Sequence, residues 1–179
     1  RLGRIEGNPF QAIVREAARR AGLRFVLNVI LDDDGRIIAA AAGAPEAVHD
    51  HLVAVGRDHY IAPIPHQFDA AIAGVGYPKD VNLYQASRAA SYLHFAPTPA
   101  VREGGIIIVP APLPEGAGQG AGEERFYRAL SEAPGPQAVI DDAHANGYPP
   151  GQQRAYVMAK VLQHSTVVIV GAHDPGLVR

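Results

Sequence analysis

Apolar positions fall into short blocks whose spacing switches between the helical period and the extended one, and these blocks set the expected elements. Asn8-Pro9 opens a first helix. Asn8 suits the N-cap, and Pro9 suits the first helical position, where no N–H is needed. Ile13, Ala17 and Ala21 give this helix an apolar face, and Gly22 ends it. Residues 25–31 and 36–42 read as strands joined by the turn Asp33-Asp34-Gly35, an antiparallel hairpin. A helix over 45–55 and a short extended piece over 60–64 follow. Residues 70–75 are small and apolar without polar alternation, the pattern of a buried strand. Asp80 is expected to cap a helix over 81–94, and Gly104-Gly105 to turn into a strand over 106–110. Residues 110–122, rich in Pro, Gly and Ala, read as a mobile loop or lid. Helices over 123–132, 137–146 and 152–163 lead to a last strand over 166–171.

Strands alternating with helices predict an α/β domain over 1–179, with a mixed sheet because of the early hairpin, and helices packed on it. Hydrophobic residues make up 47% of the 179, enough for a sizeable core. Charged residues are 19% and the formal net charge is -2, a balance that excludes a nucleic-acid surface or a polybasic membrane patch. No apolar run reaches the length of a membrane span. Cysteine is absent, which removes disulfides and thiolate metal sites. A cytoplasmic setting fits. The chain opens on Arg1 and its one methionine is Met158, so the expectation is a piece of a longer protein, with catalytic residues upstream.

In open α/β sheets, ligands sit beyond the carboxyl ends of the strands. The strand over 70–75 delivers Gly76, Tyr77, Pro78, Lys79 and Asp80 to that edge. The helix after this loop starts at the same edge, where its N–H groups favour an anion. At helical spacing Asn82, Gln85, Arg88 and Tyr92 form one polar stripe, and Leu83, Ala86, Ala90 and Leu93 the apolar one. Such a stripe is ordinarily the wet face of an amphipathic helix. It can also be a site: Arg88 offers a planar fork matching two carboxylate oxygens, and Gln85 adds an amide. Gly76 is followed by Tyr77-Pro78-Lys79, which breaks the dinucleotide fingerprint. Of the eight histidines, His49 and His51 are two apart and point to different helix faces, His59 and His66 flank a loop, and His94 and His164 lie at helix ends. No protein-only metal site is expected. Asp32, Asp33 and Asp34 lack the rest of a calcium loop and read as turn chemistry. Ser87 and Ser91 have no evident base, and no nucleophile elbow occurs.

The run Gly76-Tyr77-Pro78-Lys79-Asp80-Val81-Asn82-Leu83-Tyr84-Gln85 resembles the signature of the lactate racemase family. Gly7-Asn8-Pro9, the run Phe25-Val26-Leu27-Asn28-Val29, Gly104-Gly105-Ile106-Ile107 and the late helix from Gln152 to Leu162 agree with it in order and spacing. The resemblance spans nearly the whole chain. It implies the C-terminal domain, one half of a two-domain 2-hydroxyacid racemase or epimerase. In that family a nickel-pincer nucleotide is tethered to the N-terminal domain, and the implied chemistry is hydride removal and return at the substrate Cα. The resemblance places no catalytic residue and no metal ligand in this chain, and implies that the chain alone is inactive. Its partners would be its own N-terminal domain and a small 2-hydroxy acid.

The same resemblance makes Tyr84, Gln85, Arg88 and Gln153 the substrate-facing residues. The position of Arg88 is commonly lysine in lactate-type members, and that of Gln153 tends to be tryptophan. Both departures imply a larger or more polar 2-hydroxy acid than lactate. The competing readings are a non-catalytic binding domain for a small carboxylate and a degenerate scaffold.

Overall fold

The computed structural model describes residues 5–178. The chain, read above as a single α/β domain, divides into two compact units, Arg1–Pro65 and His66–Arg179.

In the first unit, α1 (Pro9–Arg20) starts as anticipated: the Asn8 side chain accepts from the Phe10 N–H, and Pro9 fills the first turn. The expected apolar face is not buried. Ile13 stays 66% exposed, and no residue of α1 is buried. The hairpin forms from β1 (Val26–Leu31) and β2 (Ile37–Gly43). The Asp32 carboxylate organises its turn by accepting from the Asp34 and Arg36 N–H groups, so this acidic run is turn chemistry. One face of the hairpin packs on α2 (Pro45–Tyr60) through Ile30, Val48 and Leu52. The helix runs five residues beyond the expected end at residue 55. Gly56 does not terminate it but lets Ile30 approach: a Cβ there would lie 3.4 Å from the Ile30 Cδ1. Tyr60 ends the helix with its hydroxyl fastened to the Leu31 carbonyl at 2.6 Å and to the Leu31 N–H at 3.1 Å.

The hairpin and the later strands do not share a sheet. The second unit has its own three-stranded parallel sheet, ordered β3 (Phe68–Ile72), β4 (Val101–Pro110), β5 (Ser165–Val170). The α/β class therefore holds, with antiparallel and parallel pairing in separate sheets. β4 is central, and Val101, Gly105, Ile107 and Val109 point from it into the core. It begins five residues before the expected start, because Gly104 and Gly105 lie inside the strand. Between the pairs Phe68–Val101 and Ala70–Ile106 the register shifts, and Gly104, at φ 75°, carries the chain through that irregularity. Val109, Val161 and Phe126 are fully buried between the sheet and the helices α5 (Ala121–Ser131), α6 (Pro136–Asn146) and α7 (Gln153–Leu162). The chain closes on a 3-10 turn at Pro175–Val178, which no sequence signal announced. Among the described residues no helix is long and apolar enough to cross a membrane.

Candidate functional site

The helix expected over 81–94 is two short segments, α3 (Leu83–Ala86) and α4 (Arg88–His94), meeting at Ser87. Its cap is Asn82 rather than Asp80. The Asn82 Oδ1 accepts from the Gln85 N–H at 3.0 Å. Its Nδ2 donates to Glu115 at 3.1 Å and to Glu123 at 3.5 Å. An amide can serve both roles where a carboxylate among those glutamates would be repelled. Asn82 is 4% exposed, so it belongs to the scaffold rather than to a wet stripe. Asn82→Ala removes the cap and this cross-link together, and a loss of about 1–2 kcal/mol is expected in urea denaturation.

Residues 111–120 are fastened, which corrects the expectation of a lid. Leu113 N–H donates to the Asp80 carbonyl, Glu115 N–H to that of Val81, and Leu83 N–H to that of Gly116. Ala111 and Leu113 are buried. The strap also consumes the donors that were expected to greet an anion at the helix start. With Leu83 N–H on Gly116 and Gln85 N–H on Asn82, this four-residue segment has no N-terminal anion site. The preceding loop is a tight turn in which the Lys79 and Asp80 N–H groups donate to the Gly76 carbonyl. Gly76 takes φ 64°, Tyr77-Pro78 is cis, and the side chains of Tyr77, Pro78 and Lys79 are exposed at the edge.

Beyond the strap the polar residues converge. Gln85 and Arg88 are brought together, the Arg88 Nε donating to the Gln85 Oε1 at 2.9 Å. That bond fixes both groups: the Gln85 amide nitrogen faces away, and the Arg88 terminal fork stays open. Tyr84 packs its ring edge-on against Phe126, with centroids 5.4 Å apart, so most of its body is core. Tyr92 stays half exposed at the end of the stripe. Gln153, exposed at the start of α7, commits its amide oxygen to the Gly151 N–H at 2.6 Å, which leaves only Nε2 for a ligand.

One residue of this site escaped sequence reasoning. Arg154 reaches from α7 to the segment junction, donating from Nε to the Ser87 Oγ at 3.0 Å and from Nη2 to the Ser91 Oγ at 2.9 Å. Each hydroxyl donates onward to a backbone carbonyl, Ser87 to Tyr84 and Ser91 to Arg88. A signal was present: two serines one turn apart on an alanine face put hydroxyl oxygens where a long donor from a facing helix can reach them. Burial, and then the neighbouring Arg88, depress the Arg154 guanidinium to about 10, so it is still protonated near neutrality.

The histidines do not join the site. His49 pairs with Asp50, His66 stacks on Phe68, and His94 and His164 stack on each other at 5.0 Å. Among the described residues no three His, Asp or Glu side chains converge on a point that could hold a metal ion.

Comparison with known proteins bears on the second unit first. The family model for the lactate racemase C-terminal domain matches residues 65–179, which is that unit almost residue for residue. A lactate racemase of Lactiplantibacillus plantarum is 35% identical over 186 residues, covering 99% of this chain and 41% of the relative. A lactate racemase of Thermoanaerobacterium thermosaccharolyticum is 32% identical over 174 residues, covering 95% and 39%. The solved lactate racemase apoprotein from the latter organism matches with a TM-score of 0.78 at 30% identity, over 92% of this chain and 38% of that one. The chain thus spans about two fifths of the length of the curated relatives it matches.

Proposed function

Because this chain belongs to the lactate racemase C-terminal domain family, we propose that it forms the substrate-facing part of a larger 2-hydroxyacid racemase or epimerase. The observation that carries the reading is the Gln85–Arg88 pair. It offers an amide N–H and an open guanidinium fork on one face of the family-matched unit, with no carboxylate partner among the described residues. In this reading residues 1–179 act as one α/β domain beside an N-terminal catalytic domain. A nickel-pincer nucleotide, held by that other domain and not by residues of this chain, would supply the hydride chemistry. This chain contributes position. Arg88 and Gln85 hold the substrate carboxylate, and the Tyr84 hydroxyl edge and the Gln153 amide border the rest of the molecule. The exposed loop from Gly76 to Asp80 forms the rim.

Fixing the carboxylate would hold Cα in place for reaction, while rotation about the C1–Cα bond leaves either face available for the return. A near-attack geometry of that kind can supply several kcal/mol of the barrier reduction. The Arg88–Gln85 hydrogen bond uses only Nε of the guanidinium, leaves the terminal nitrogens for the substrate and pre-sets the fork before the ligand arrives.

The test is the full-length protein, expressed in a host that makes the pincer cofactor. The expected result is about one nickel per chain and loss of optical purity in a chiral 2-hydroxy acid. The 179-residue chain alone should leave that acid unchanged. Full-length protein that stays nickel-free and unmodified, under conditions that load a known relative, would favour a non-catalytic domain for small carboxylates instead.

A further inference from the structure

We propose that Arg154 is a second anion-binding residue beside Arg88, and that the ligand of this site is a 2-hydroxy dicarboxylate. The inference rests on the reading of Gln85 and Arg88 as a carboxylate site and narrows its substrate class.

The first observation is a missing counterion. Several arginines have one: Arg15 pairs with Asp50, Arg20 with Glu16, Arg36 with Asp34 and Arg102 with Asp69, while Arg125, which donates to the Pro150 carbonyl, is exposed to water. Arg88 and Arg154 have no carboxylate within 4.0 Å among the described residues. Their partners are neutral: an amide for one, two buried hydroxyls for the other. Burial is the larger cost to the Arg154 charge, and repulsion from the Arg88 guanidinium adds to it. Buried charges in folded proteins are normally paired. A partly buried cation beside another cation, with no acid supplied by the described residues, calls for an anion from outside them.

The second observation is the geometry of the donors. Arg154 spends Nε and Nη2 on Ser87 and Ser91, and Arg88 spends Nε on Gln85. Each therefore keeps its outer edge for a ligand, and each is held in place by the bonds already made. The serines fix Arg154 without neutralising it, since their own protons go to backbone carbonyls. One carboxylate would leave a net positive charge in the site, whereas two balance it. The neighbouring Gln153 is exposed with its amide oxygen drawn back to the Gly151 N–H, and Tyr84 and Tyr92 are the aromatic residues that act on the Arg154 charge.

The experiment is calorimetric binding to the full-length protein without its cofactor, where no turnover occurs. The probes are 2-hydroxybutanedioate and 2-hydroxybutanoate, which differ by a carboxylate in place of a methyl group. The dianion should bind at least about tenfold more tightly, the effect of one charge-assisted hydrogen-bonded pair. Arg154→Met should cut that advantage to within about twofold, leave the monoanion's affinity unchanged, and not lower the melting temperature, because an uncompensated buried charge is lost. Equal affinity for the two acids, both abolished by Arg88→Ala, overturns the dicarboxylate assignment and leaves the carboxylate site standing. A melting temperature that falls in Arg154→Met, with the dianion preference intact, makes Arg154 a structural brace and overturns the proposal. Binding of neither acid removes the carboxylate reading and this inference with it.

Discussion

Gly151→Ala is expected to cost about 3 kcal/mol of stability in denaturant unfolding, combining a strained backbone with a forced contact. Gly151 has φ 96°, a region that side-chain-bearing residues rarely adopt. A Cβ there would sit 2.2 Å from the Gly122 Cα and 2.6 Å from the Gly122 carbonyl oxygen. Those atoms are backbone in the first turn of α5, so no side chain can swing aside. The break before α7 and the start of α5 must separate. Gly151 lies three residues before Arg154, and its N–H anchors the Gln153 side chain. The variant should therefore weaken anion binding as well as the fold. Gly74→Ala is the comparison: nothing lies within 4 Å of its added Cβ, and a change within about 0.5 kcal/mol is expected. If Gly151→Ala unfolds at the parental midpoint, the close approach of these backbones is wrong.

The elements set by local chemistry were legible in the sequence. Asn8-Pro9 announced α1, the Asp32 to Gly35 run announced the hairpin turn, and the alternating blocks announced an α/β unit. Where the reading failed, a tertiary partner had overridden a local signal. Gly104-Gly105 looks like a turn before a strand, yet it lies at an irregularity inside β4, and the helix expected to stop at residue 55 continues through Gly56, which serves a packing contact with Ile30. Asp80 looks like a cap, but Asn82 can both cap α3 and donate to Glu115, and only the second bond, 33 residues away, reveals the choice. The Pro- and Gly-rich strap looks mobile because its restraints are backbone bonds to the Asp80–Leu83 segment, which no side-chain pattern encodes.

The candidate site divides along the same line. Gln85 and Arg88 are three apart on one helical path, so their meeting follows from spacing alone. Arg154 lies 63 and 67 residues from its serines, and a pair at that distance is invisible until α7 is docked on α4. The sequence therefore exposed one cation of the site and hid the other. On the proposed reading that division matters for function, because the visible half would describe a monocarboxylate binder and the whole a doubly cationic one.

Arg88→Ala should weaken binding of 2-hydroxybutanoate by about a hundredfold, and lower kcat/KM of the loaded full-length protein by a similar factor. The substitution removes the open fork, and it leaves the Gln85 oxygen free to rotate toward the ligand, where it would repel a carboxylate. Arg88→Lys separates charge from shape. Lysine keeps the cation but offers a point charge on a flexible stem, so about a tenfold loss is expected, between parent and alanine. Stability should move the other way. Removing Arg88 takes a like charge away from Arg154, whose guanidinium it helps to depress, so the melting temperature of Arg88→Ala should equal or exceed that of the parent. Weakened binding in a protein at least as stable is the mark of a residue placed for a ligand. A variant that binds both acids with parental affinity would return the polar stripe of α3 and α4 to the role of a solvated helix face.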